Sequence, residues 1–165
     1  MKKLSVYDLT QNPFSLIGKS WAMITTRDGD KTNTMTASWG GVGIMWGKPA
    51  AFIFIRPQRF TRELIDVSGN FSICFFPESQ REKLSYCGSH SGRDGDKLAH
   101  CGFTASTLDD APVLDQAELV LTCKKLYRQQ LDGEFFCVPG IDAQYYADHD
   151  YHYMYVAEIL SAYEK

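Results

Sequence analysis

The sequence predicts a mainly β fold, in which an antiparallel sheet closes into a small barrel that carries a few short helices. Three observations predict it. Strand-like runs outnumber helix-like ones. They are joined by hairpin signals and do not alternate with helices of crossover length, which disfavours a parallel α/β fold. The 165 residues contain no repeat, low-complexity tract or linker, so residues 1–165 form one domain.

The elements follow in order. Asn12-Pro13 is a helix start, with a capping side chain before a proline at the first helical position, and it opens a short helix over residues 13–17. Two Thr-rich runs, residues 20–26 and 32–38, flank Arg27-Asp28-Gly29-Asp30 and should pair as a hairpin. A glycine-rich turn follows at Gly40-Gly41. Residues 50–55 are a continuous apolar run between Pro49 and Pro57, short enough for a strand buried on both faces. Phe60, Leu64, Ile65 and Val67 then recur at helical spacing until Gly69. Residues 70–76 form a strand closed by Pro77. Two short polar-faced helices, residues 78–87 and 94–101, are joined by the Gly and Ser loop 88–92. A long strand over residues 119–131 stops at Asp132-Gly133, and residues 151–163 supply the last strand. Trp39 and Trp46 either stack on a ligand or fill the core, and the core is favoured for at least one.

Composition narrows the function classes. With 44% hydrophobic and 22% charged residues, the chain is neither disordered, collagen-like nor a disulfide miniprotein. A net charge of -3 provides no field for nucleic acid or an anionic membrane, so small molecules or a second copy are the expected partners. The longest charge-free stretch, residues 32–47, is too short and too rich in Thr, Ser and Gly to span a bilayer. Residues 1–12 do not read as a secretory signal, and a cytoplasmic location is expected. The five cysteines, at 74, 87, 101, 123 and 137, are odd in number and contain no CxxC pair. Most of them read as buried thiols, with neither a disulfide framework nor a zinc site.

Two motifs fail. Gly41-Val42-Gly43-Ile44-Met45-Trp46 puts Trp where a dinucleotide fingerprint needs its third glycine. Gly88-Ser89-His90-Ser91-Gly92 has His at the centre of what would be a nucleophile elbow. More informative is Arg56-Pro57-Gln58-Arg59-Phe60-Thr61-Arg62, which gathers three guanidinium groups and a hydroxyl at a helix entrance. Free N–H groups and the helix dipole meet there, a setting for a phosphate or for arginines on a wet helix face. The run Asn33-Thr34-Met35-Thr36-Ala37-Ser38-Trp39-Gly40-Gly41 either lets a flat ligand approach the backbone or is a plain Thr-rich edge strand.

Taken with Ser91-Gly92-Arg93-Asp94-Gly95-Asp96-Lys97, these segments resemble the flavin reductase-like family of FMN-binding split β-barrels, especially its flavoredoxin-like branch. The resemblance covers residues 20–101 and extends more loosely beyond. It implies a Greek-key split barrel that forms a homodimer, with FMN held non-covalently in a groove near the subunit interface. By the same resemblance Thr34, Met35, Thr36, Ala37, Ser38 and Trp39 line the ring and ribityl chain. Arg56, Arg59 and Thr61 hold the phosphate or nearby ribityl oxygens, with Phe60 among the cofactor contacts. Ser89, Ser91 and Gly92 form a loop against the cofactor. Lys97 stands close to the ring, where it tunes the reduced flavin, or else it pairs with Asp94 or Glu82. The implied activity is hydride transfer from NADH or NADPH to flavin and onward to an acceptor, with no catalytic side chain. An electron carrier reduced by a partner protein and a non-catalytic flavin-binding module are the alternatives. The chain departs from the family pattern in its extra glycines at residues 40–43. It also departs at residues 132–153, where His149 and His152 either face a second substrate or lie on a solvent-facing surface, the surface being favoured.

Overall fold

The computed structural model describes residues 1–165. A short strand β1 (Lys2–Leu4) precedes helix α1 (Pro13–Gly18), whose Asn12 side chain accepts from the Phe14 N–H at 2.9 Å, the cap expected from the Asn-Pro pair. Strands β2 (Ala22–Asp28) and β3 (Lys31–Ala37) pair around Gly29, which adopts a left-handed φ of 54°. A second hairpin follows, of β4 (Gly40–Met45) and β5 (Lys48–Ile55), and then α2 (Phe60–Val67) and β6 (Asn70–Phe75). Helices α3 (Arg81–Ser89) and α4 (Lys97–Cys101) lead to a small separate hairpin, β7 (Ala105–Leu108) and β8 (Ala111–Leu114). The chain ends with β9 (Leu119–Gln130), α5 (Ile141–Tyr145) and β10 (Tyr153–Glu164).

The main sheet runs β3-β2-β6-β9-β10-β5-β4, antiparallel throughout, with β1 added beside β10. Its two end strands, β3 and β4, are consecutive in the chain, so this is a split barrel. Alternation along the strands builds two cores. Ile24, Ile55, Phe71, Leu121 and Tyr155 fill the barrel, while Met23, Cys74, Leu84, Leu114 and Val120 pack between its outer wall and the α3, α4 and β8 layer.

Several expectations need correcting. The Gly40-Gly41 segment is no turn but the start of β4, and the turn lies at Trp46-Gly47, both with positive φ. Gly40 is required where β4 begins, because a Cβ there would meet the Phe52 carbonyl oxygen at 2.6 Å. Neither Trp39 (43% exposed) nor Trp46 (57% exposed) enters the core, since they flank the two ends of β4 and pack only against other aromatic side chains outside the barrel. The β5 strand is not buried on both faces: Ala51, Ile53 and Ile55 point into the barrel, and Phe52 and Phe54 are half-exposed outside.

Candidate flavin site

The free edge of β3 sets the position of the site. Strand β3 hydrogen-bonds only to β2, so its other edge leaves backbone groups without sheet partners. Beside that edge Met35, Thr36, Ala37, Ser38 and Trp39 face Phe54, Arg56, Arg59 and His152 across a polar hollow of about 250 Å³. A second hollow of about 200 Å³ opens from it, lined by Phe60, Thr61, Ser89, Ser91, Gly92 and Lys97, with Asn33, Gln58, His90 and Arg93. Met35, Arg56 and Arg59 belong to both, which makes them two ends of one groove. Neither end alone reaches the roughly 300 Å³ common for small-molecule sites, whereas the joined groove does. The hydroxyl-bearing strand and the arginine-bearing helix entrance therefore stand side by side.

The loop end is built by close contact. A Cβ on Gly92 would lie 2.1 Å from Asn33 Oδ1, and one on Gly88 would lie 3.3 Å from Thr36 Cβ, so loop 88–92 lies directly on β3. Buried Asn33 Nδ2 donates to Thr61 Oγ1 at 2.8 Å and ties β3 to the first turn of α2. Arg59 occupies the N-cap position of α2 without making a side-chain cap, which leaves the first N–H groups of that helix free of a capping side chain.

Charge in this groove is one-sided. Arg59 Nη1 donates to the Gly88 carbonyl and Lys97 Nζ to the Cys87 carbonyl at 2.9 Å, and neither side chain meets a carboxylate. The alternative pairing of Lys97 with Asp94 or Glu82 is not found. Burial pushes Arg59 below the usual guanidinium range, and the adjacent Arg56 charge adds to it. Burial likewise lowers the Lys97 ammonium, with Arg59 contributing further. Crowded like charges without a counter-ion are the signature of an anion site. Arg56 is engaged elsewhere: it pairs with Asp150, donates to the Tyr145 carbonyl at 2.9 Å and lies 5.2 Å from the Tyr146 ring centroid. Arg93 at the rim pairs with Glu63.

Of the residues expected at the site, only Thr34 turns away. It is fully buried, and its hydroxyl meets Thr25 Oγ1 at 3.0 Å and donates to the Ile24 carbonyl, because the strand's alternation points it away from the groove. Thr36 lines the groove but donates its proton to Leu84 O at 2.5 Å, so toward a ligand it is an acceptor. Ser38 keeps its hydroxyl free of protein partners.

His152 overturns the expectation of a solvent-facing surface, while His149 is exposed as expected. His152 is 8% exposed, its Nδ1 meets Tyr146 Oη at 2.9 Å, and its ring lies 5.1 Å from Trp39. Burial, then the Arg56 charge, lowers its pKa to about 4, so it is neutral at pH 7. Tyr145 packs edge-on against Trp39 at 5.4 Å, and this end of the groove is consequently aromatic. Nothing in the periodicity of residues 132–153 announces this wall.

A separate apolar hollow, lined by Leu9, Leu16, Ile17, Val42 and Ile159 among others, has no convergent charged groups and carries no chemistry.

A family model described as flavin reductase like domain matches residues 14–164. The chain belongs to the flavin reductase-like family. Among solved structures this flavin reductase-like chain is similar to an FMN-binding domain of a flavin reductases-like enzyme from Shewanella baltica. That match has 22% identity, covers 99% of this chain and 76% of the other, and has a TM-score of 0.72. It is also similar to flavoredoxin from Methanosarcina acetivorans, with 23% identity, 88% and 68% coverage and a TM-score of 0.69. More distantly, it resembles the NADH:FAD oxidoreductase of Streptomyces globisporus, with 16% identity, 88% and 75% coverage and a TM-score of 0.64. At these identities the likeness shows the fold. No curated protein sequence gives a significant match.

Proposed function

We propose that this protein is an FMN-binding oxidoreductase that accepts hydride from NADH or NADPH and delivers electrons to an acceptor. One observation carries the reading: the free edge of β3 and the carboxylate-free cations Arg59 and Lys97 converge on a single groove. The donor set fits a flavin mononucleotide. Arg59, the Thr61 hydroxyl, the Ser91 region and the open N-terminus of α2 would hold the phosphate. The β3 edge, with Ser38 and the backbone of residues 35–39, would hold the ring's polar rim, and Trp39 with His152 would bound its far end.

The bound flavin supplies the two-electron chemistry. The residues of the chain bind it, orient it, screen it from water and set its electrostatics. Lys97 places a positive charge in the groove, which favours the anionic reduced form. Neutral His152 offers a hydrogen bond without adding charge.

Two further readings go with this one. The exposed apolar side chains of Phe14 and Val42 beside Ser38 and Trp39, with Ile44 further along β4, support a homodimer with the site near its interface. Five unbridged thiols suit a reducing compartment, and we place the protein in the cytoplasm.

The deciding measurement is anaerobic. The FMN-loaded protein is mixed with NADH or NADPH and the flavin absorbance is followed. Bleaching by one nicotinamide is expected. A protein that holds FMN and is reduced by dithionite, but by neither nicotinamide, is instead an electron carrier or a binding module.

A further inference from the structure

Behind the groove wall two thiols meet where α3 and α4 touch. Cys87 near the end of α3 and Cys101 at the end of α4 place their Sγ atoms 3.7 Å apart, and both are buried. A disulfide needs about 2.05 Å, so the sulfurs must close by roughly 1.7 Å. Helix α3 has little freedom to move, since Leu84 O accepts from Thr36 and Gly88 lies against the Thr36 side chain. Helix α4 is only five residues long, with Asp96 capping its start and Gly102 its end, and it is the element that can shift. It begins with Lys97, whose ammonium is bonded to the carbonyl of Cys87 itself.

We propose that Cys87 and Cys101 are an oxidisable pair, a disulfide site whose closure draws α4 toward α3 and displaces Lys97 from the anion end of the groove. The oxidant is hydrogen peroxide, small enough to reach Cys101, the slightly more exposed thiol. Cys101 Sγ attacks a peroxide oxygen, the O–O bond breaks, and a sulfenic acid and one water form. Cys87 Sγ then attacks that sulfur, the S–S bond forms, and the hydroxyl leaves with the Cys87 proton as a second water. The two sulfurs lose two electrons, which the peroxide gains. Burial and the adjacent Cys101 sulfur push the Cys87 thiol up, so it stays protonated until it attacks, and the order of the two steps follows from the greater exposure of Cys101.

The disulfide itself is independent of the flavin reading, and only its effect on cofactor affinity rests on that reading. The test uses the full chain carrying Cys137→Ser, which removes the exposed thiol. After titration with peroxide, non-reducing peptide mapping should find residues 87 and 101 linked, with loss of two hydrogens, reversal by dithiothreitol and no link once Cys101→Ser is added. FMN affinity, followed by flavin fluorescence, should weaken about tenfold on oxidation and recover on reduction, and the Cys101→Ser protein should show no such change. Sulfinic acids in place of the linked peptide, or two thiols still free for alkylation after unfolding, would overturn the site. An oxidised chain that binds FMN as tightly as the reduced one would overturn the coupling. A reduced chain that does not bind FMN at all, yet forms the linked peptide, sinks only the flavin reading.

Discussion

At the scale of single residues, the groove's chemistry rests on Arg59 and His152. Arg59, like Lys97, has no carboxylate partner, so an arriving phosphate gains a charge-assisted bond without breaking an ion pair. Arg59→Ala should weaken FMN binding by about 1.5 to 3 kcal/mol, roughly ten- to a hundredfold in Kd, with the melting temperature little changed. Unaltered affinity in a fluorescence titration would return Arg59 to the wet face of α2. His152 makes a pH prediction. Its folded pKa is near 4 against an ordinary 6.5, so between these values the unfolded chain binds more protons. The contribution is complete above about pH 6.5 and is lost as pH falls toward 4, about 2 kcal/mol of it between pH 7 and pH 5. Denaturant midpoints at those two pH values should diverge in the parent and draw together in His152→Asn, which still can bond Tyr146. Equal pH slopes in both proteins would show that His152 is not buried neutral.

At the scale of elements, contacts along the chain and contacts across it differ in how far they can be read from sequence. The β2–β3 hairpin and the Asn12 cap are written locally, in Asp28-Gly29 and Asn12-Pro13, and both form as expected. Strand β4 is written elsewhere: its glycines look like a turn until β5 pairs with them, Gly40 opposite Ile53 and Gly43 opposite Ala50. The aromatic wall was equally illegible, because Arg56 and Asp150 lie 94 residues apart, and it is the pairing of β10 with β5, Tyr153 opposite Ile55, together with that ion pair that brings His152 to the groove. Thr34 shows the limit within a legible strand, since the run of hydroxyls was visible but not which ones the barrel would turn away from the groove. The loop 88–92 yields an element-scale prediction. Gly92 lies where any Cβ would strike Asn33 Oδ1 at 2.1 Å and the Phe60 ring at 3.0 Å. Asn33 cannot yield freely, being buried and bonded to Thr61. Gly92→Ala should therefore push the loop off β3 and weaken FMN binding about tenfold, at a stability cost of about 1 kcal/mol. Isothermal titration and thermal melts separate the two effects, and an affinity equal to the parent's would place the loop outside the cofactor site.

At the scale of the whole molecule, the unresolved force is hydrophobic. Phe14 on α1 is 87% exposed, and Ile44 on the outer strand β4 is 62% exposed. The pairing edge of β4 away from β5 is also open, since no further strand lies beyond it. Phe14 and Val42 line one hollow with Trp39 at the mouth of the groove, and the proposed homodimer would cover this patch with a second copy. Burying a face once in each subunit doubles the gain, and a single charge placed in its middle is then paid for twice. Ile44→Glu should convert a dimer into a monomer in light scattering at micromolar concentration, because each interface would have to desolvate two carboxylates. FMN affinity should fall with it if the partner completes the mouth near Trp39. A parent protein that is already monomeric and still retains FMN would remove the second copy from the site while leaving the groove's own cations in place.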